Sequence, residues 1–137
     1  MQYDLTQYLG IPFRDHGRDR DGCDCWGLVR LVYSEQLGIE LPDLGDGYSD
    51  AYARGEVNGT VNGATAQDWN VDVTDEPRRP LDVLTFTRGG IETHVGLYVS
   101  EGVMLHIVDG TCAAFERYDT AKWRRRFSRA MRHAEAK

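Results

Sequence analysis

Between residues 22 and 37, Leu28, Val29, Leu31, Val32 and Leu37 recur close to a helical spacing, and Gly38 follows as a stop. Asp24 is a natural N-cap, which places Cys25 in the first turn. From residue 81 the period changes to two, predicting strands over 81–87, 93–100, 103–108, 113–118 and 123–131. Gly89-Gly90, Glu101-Gly102 and Asp109-Gly110 supply turns, short enough for an antiparallel meander. Helices first and a sheet of about five strands afterwards make an α+β architecture. Before the helix, Gly10-Ile-Pro-Phe and Gly17-Arg-Asp-Arg-Asp-Gly form a turn-rich approach that walls the cleft. Residues 41–80 are acidic and rich in Gly, Asn and Asp. They predict a short helix near 49–54 with Trp69 and Val71 anchoring to the core; a flexible insert or partner-binding surface is the alternative.

A chain of 137 residues, 41% hydrophobic, supports one domain over 1–137 with its core at about 10–132. Met1-Gln2-Tyr3-Asp4 has no signal-peptide pattern, and no apolar run of about eighteen residues occurs. The expectation is a protein made in the bacterial cytoplasm without a signal peptide and without membrane insertion. Cys23, Cys25 and Cys112 cannot all pair with one another, and reduced thiols are expected. The charge is uneven. Residues 122–137 hold seven Lys/Arg against Glu135, a net of +6 in a chain totalling −6, so the remainder carries −12. A tail of this kind can touch an anionic polymer, but the acidic body repels phosphates, so a terminal strand with a solvated face is expected and no nucleic-acid partner.

The chemistry centres on Cys25 and two downstream histidines, His94 and His106. A thiol attacks as thiolate and needs a base and a positive local potential, for which a helix start is suited. Strand alternation sets His94, Gly96 and Tyr98 on the face opposite Val95, Leu97 and Val99, with Gly96 leaving room for the helix start. Met104, His106 and Val108 share a face of the next strand, within reach of an imidazole-to-imidazole hydrogen bond. In this reading Cys25 attacks a carbonyl, His94 carries the proton to the leaving amine, His106 orients His94, and the Cys25 amide supports the oxyanion. Water then hydrolyses the thioester. Asp109 is the second candidate for the orienting residue. Taken singly, each has a structural reading: a buried small hydrophobe for the cysteine, packed or surface positions for the histidines. A zinc site from Cys23, Cys25, His94 and His106 is disfavoured by the Cys-x-Cys spacing, and no cofactor or metal is expected.

These residues resemble the NlpC family of papain-like cysteine peptidases. Asp24-Cys25-Trp26-Gly27-Leu28-Val29 is similar to its helix motif, and His94-Val-Gly-Leu-Tyr to its strand motif. His106 stands at its third polar position, twelve residues on, and Pro80-Leu-Asp-Val-Leu-Thr-Phe resembles its Pro-Gly-Asp-Leu-x-x-Phe strand. The resemblance implies a papain-like fold with the nucleophile on an N-terminal helix packed on an antiparallel sheet. Gly17-Arg18-Asp19, the Gly22 to Arg30 run and Gly38-Ile-Glu-Leu-Pro42 look most like the tail peptidases of long-tailed phages and phage-like gene-transfer particles.

That branch implies hydrolysis of amide bonds in peptidoglycan stem peptides by a virion or tail-tip protein, with other tail-tip or hub proteins as partners. An antibacterial amidase effector, a wall-remodelling peptidase and a structural tail-hub protein are the alternatives. Phe13 stands where many members have Tyr, and Trp26 where Ser is common, so substrate and oxyanion support differ there. Asp24 serves either a substrate ammonium or the N-cap.

Overall fold

The computed structural model describes residues 3–41, 70–89 and 91–133. The expected helix at 49–54 and the Trp69 anchor lie outside them. The chain enters through a 3-10 turn, Thr6–Tyr8, and a two-stranded hairpin, β1 (Arg18–Asp19) and β2 (Gly22–Cys23). Helix α1 follows directly, Cys25–Val32, and passes into a π turn, Tyr33–Leu37. Gly38, at φ 67°, ends it where the sequence predicts, because a left-handed residue lets the last carbonyls be capped.

The remaining strands are β3 (Asn70–Asp72), β4 (Val83–Arg88), β5 (Ile91–Ser100), β6 (Val103–His106), β7 (Ala114–Arg117) and β8 (Phe127–His133). They form one antiparallel sheet in the order β3-β8-β4-β5-β6-β7. This is the expected α+β fold, with six strands where about five were anticipated. The meander holds for β4 to β7, and β8 then returns to pair with β4.

Two local expectations change. Trp123 lies in a short helix, α2 (Ala121–Arg124), and not in a strand. A strand would put Trp123 and Arg125 on one face; one helical turn buries Trp123 alone and leaves Lys122, Arg124 and Arg125 in solvent. The anchor at the end of the acidic segment is Val73, 3% exposed, whereas Val71 is 45% exposed. Strand β3 ends at Asp72, so Val73 is released from the period-two alternation that would set it on the face of Val71, and its N–H bonds the Ala130 carbonyl.

Both faces of the sheet are covered. Val83, Val95, Leu97 and Leu105 meet Trp26, Leu28, Val29 and Val32 of α1 and Leu5, Tyr8 and Ile11 of the entry segment. The opposite face carries Leu84, Phe86, Met104 and Ala130 beneath Val73 and Trp123. The buried Arg132 ties β8 to the residue that leads into β4 through a fork of 2.7 and 2.8 Å to Asp82, so part of the basic tail is structural. No described helix is long and apolar enough to cross a membrane.

Candidate active site

The start of α1 is fixed by the hairpin before it. Asp24 is fully buried, and its Oδ1 accepts from the Gly27 N–H at 2.8 Å and from Arg18 Nη1 at 2.8 Å. Asp24 is therefore the N-cap, and its charge is matched by Arg18. A Cβ on Gly27 would collide with the Gly17 carbonyl, so this glycine lets the hairpin lie against the helix. The Gly17-Arg18-Asp19 approach thus holds the helix terminus.

Cys25 is 7% exposed, and the main-chain N–H groups of Val95 and Trp26 face its sulfur. The thiol accordingly rests against β5 at the residue next to His94. Burial, followed by the charge of Asp24, pushes the thiol pKa up to about 12, against the lowering by those amides and Arg18. The sequence expectation was that a helix start favours the thiolate; here desolvation outweighs it, and the resting group is a neutral thiol.

His94 and His106 come together as their strands predict, with His94 Nε2 2.9 Å from His106 Nδ1. His106 Nε2 is in turn 2.7 Å from Glu116 Oε1 on β7, and Trp123 Nε1–H donates to Glu116 Oε2 at 2.9 Å. The rings are buried, 6% and 4% exposed, and Trp123 packs within 5.6 Å of His94 and 5.3 Å of His106 between ring centroids. Burial holds His94 well below its ordinary pKa, with His106, Arg126 and Lys122 adding to the effect. Burial also lowers His106, opposed by Glu116. Both imidazoles are neutral at pH 7.

Gly96 has a different task from the one expected. A Cβ there would lie 2.9 Å from Met104 Sδ and 3.3 Å from His106 Cβ, so the missing side chain admits the neighbouring strand's residues. Helix α1 packs on the other face, against Val95 and Leu97. The helix chooses that face because the apolar side chains are there.

Among the described residues no thiol–imidazole hydrogen bond is formed, and no group of three His, Cys, Asp or Glu side chains is arranged to hold a metal ion. Cys23, Cys25 and Cys112 are all free thiols. Cys23 is buried, and burial pushes its pKa up to about 12 as well.

Residues 10–132 match the model of the NlpC/P60 family. The chain belongs to that family. Among curated relatives, the murein DD-endopeptidase MepS/murein LD-carboxypeptidase of Escherichia coli K12 is 24% identical over 127 residues, which are 93% of this chain and 58% of that protein. The chain thus spans little more than half of that relative. An NlpC/P60 protein from Bacillus cereus superposes with a TM-score of 0.66 at 21% identity, over 93% of this chain and 37% of that one. RipD of Mycobacterium tuberculosis, described as a non-catalytic NlpC/p60 domain protein adapted to peptidoglycan binding, superposes with a TM-score of 0.59 at 18% identity, over 94% of this chain and 90% of that one. The NlpC/P60 fold therefore accommodates both hydrolytic and non-catalytic members.

Within this NlpC/P60 chain the remaining expected site residues are placed as follows. Phe13 is half-buried against the core beside α1 and pairs in the backbone with Cys23. Trp26 is 3% exposed and packs in the core, so its main-chain N–H is what meets the thiol. Asp109 is exposed in the turn after β6, and the residue against His94 is His106. Glu116 and Trp123 were missed. The signal for Glu116 was hairpin register: Met104 pairs with Glu116, and alternation puts Glu116 on the face of Met104 and His106.

Proposed function

We propose that this chain is a thiol hydrolase that cleaves amide bonds in peptidoglycan stem peptides, with Cys25 as nucleophile and His94 as base. The observation that carries the reading is the pairing, at 2.9 Å, of His106 on β6 with His94 on β5, the strand whose Val95 amide faces the Cys25 thiol. With His94 Nε2 engaged by His106, Nδ1 is the ring nitrogen left to take the thiol proton. The thiolate then adds to the carbonyl, His94 returns the proton to the leaving amine, and water releases the acyl group. Helix starts leave amides unpaired, and the Cys25 N–H is the natural oxyanion donor. A neutral resting thiol and imidazole make the ion pair a feature of the substrate complex, where catalytic contacts tighten.

The named activity of MepS supports a murein substrate, since the match covers 93% of this chain. We place the activity in a phage tail tip, acting at the cell wall beside other tail-tip or hub proteins. Supporting this is the Gly17-Arg18-Asp19 approach, whose Arg18 pairs with Asp24 at 2.8 Å at the helix start. That pairing also favours the N-cap over a substrate ammonium as the task of Asp24.

A non-catalytic, wall-binding or tail-hub role is favoured by one observation, the deep burial of the thiol at a pKa of about 12. Mass spectrometry of muropeptides released from purified sacculi separates the two. Defined stem-peptide fragments from wild type and none from Cys25→Ala are expected. Equal release by both, or none from either folded protein, would overturn the hydrolase reading.

A further inference from the structure

The histidine pair ends in a carboxylate that the sequence motif does not include. Glu116 Oε1 lies 2.7 Å from His106 Nε2 while its Oε2 accepts from Trp123 Nε1–H at 2.9 Å. Hydrogen bonding from Trp123 and His106 holds the Glu116 carboxyl below its ordinary pKa, outweighing the effect of burial. An ionised carboxylate only accepts hydrogen bonds, and an indole N–H only donates. Each oxygen of Glu116 therefore has one assigned donor.

We propose that Glu116 is a positioning residue that fixes the tautomers of both histidines in series, an inference that rests on His94 being the base. Facing an oxygen that can only accept, His106 carries its proton on Nε2 and leaves Nδ1 bare. A bare His106 Nδ1 at 2.9 Å can only accept, so His94 carries its proton on Nε2. His94 Nδ1 is then bare, which is the form a base needs toward Cys25. Trp123 is part of the device: it occupies the second carboxylate oxygen and packs against both rings at 5.6 and 5.3 Å. Glu116 acts through His106 and need not touch substrate.

The arrangement gives an unusual prediction for Glu116→Gln. Gln has one acceptor oxygen, and Trp123 Nε1–H must have it, so the amide NH₂ is turned toward His106 Nε2. That favours the opposite His106 tautomer, with the proton on Nδ1, which in turn strips His94 Nε2 and puts a proton on His94 Nδ1. The base is then blocked. Adding Trp123→Phe frees the Gln oxygen for His106 Nε2–H, so the double variant should recover the working tautomers.

Long-range proton–nitrogen spectra of the four imidazoles test this without reference to turnover. Wild type should show protonated Nε2 and bare Nδ1 on both His94 and His106, Glu116→Gln should invert both, and Glu116→Gln/Trp123→Phe should restore them. In hydrolysis of sacculi, Glu116→Gln should lose about 10- to 100-fold in kcat with little change in KM, and the double variant should regain part of it. Bare Nε2 on His106 in wild type, or tautomers unchanged in Glu116→Gln, would overturn the proposal. If Glu116→Gln does not fold, Trp123→Phe alone tests the same chain: its tautomers should match wild type, and inversion would contradict the scheme. Because the spectra are read on the resting protein, a failure of hydrolysis would count against the proposed activity and leave this result standing on its own.

Discussion

The two halves of the candidate site are built in opposite ways. The thiol half is local: Gly17, Arg18, Asp24, Cys25 and Gly27 lie within eleven residues and are joined by main-chain and capping bonds. The histidine half is assembled from β5, β6, β7 and α2, and is joined by side-chain bonds between residues seven, ten and twelve positions apart. Backbone contacts hold the Cys25 thiol in a buried, neutral state, whereas a chain of side chains leads from His94 to the half-exposed Glu116. Position is set by the first half, and proton placement by the second.

The sharpest way to break the thiol half is Cys25→Ala, which should lower kcat/KM by about 10³-fold or more, since it removes the proposed nucleophile. Next comes Gly27→Ala. Its Cβ meets the Gly17 carbonyl, which is backbone and cannot swing aside, so a loss of about 3 kcal/mol is expected, read as a lower urea midpoint at unchanged slope. Gly96→Ala is the matching probe of the histidine half. Its nearest neighbour is the flexible end of Met104, so stability should fall by only about 1 kcal/mol. The 3.3 Å approach to His106 Cβ shifts the pair, and activity should fall by about tenfold. Equal stability losses at the two glycines would contradict this contrast.

Most of the thiol half was legible because its signals are contiguous. An N-cap followed by a helical apolar spacing is read from neighbours in sequence, and Asp24, Cys25 and the Gly38 stop all fall where expected. His94 and His106 were legible because period-two alternation fixes the face of a strand residue without knowing its partner. Glu116 was not, because its contact depends on the β6–β7 register as well as on its own strand. Trp123 was assigned to a strand because an aromatic within a basic run satisfies a period of two. A single helical turn buries it better at that point. The role of Gly96 was also misread: which of two packing elements needs the space is a three-dimensional fact.

The pH dependence of stability sharpens the comparison further. Both histidines have folded pKa values below the ordinary value of about 6.5, so between that value and the folded pKa the unfolded chain binds more protons. Their contribution to stability is complete above about pH 6.5 and is lost as pH falls below it. The groups that face the pair are Glu116 on β7 and Lys122 and Arg126 across the Trp123 ring. Urea midpoints should therefore drop between pH 7 and pH 5, and His94→Gln should flatten that slope; an unchanged slope would mean that burial does not govern the pair.

A further contrast, outside the candidate site, concerns Leu81, which stands where the family pattern has glycine and adopts φ 76° while 2% exposed. Leu81→Ala should cost about 2–4 kcal/mol through lost packing. Leu81→Gly should cost less than Leu81→Ala, reversing the usual order, because glycine removes the left-handed strain of about 1–2 kcal/mol.

The most direct measurement of the central claim is the rate of sacculus hydrolysis by wild type, Cys25→Ala and His94→Gln, each shown to unfold at the same urea midpoint within error in buffer at pH 7.5. A shared thiol–imidazole unit predicts that both variants lose nearly all activity and that the two losses do not add in the double variant. Hydrolysis by either variant within about tenfold of wild type would contradict it.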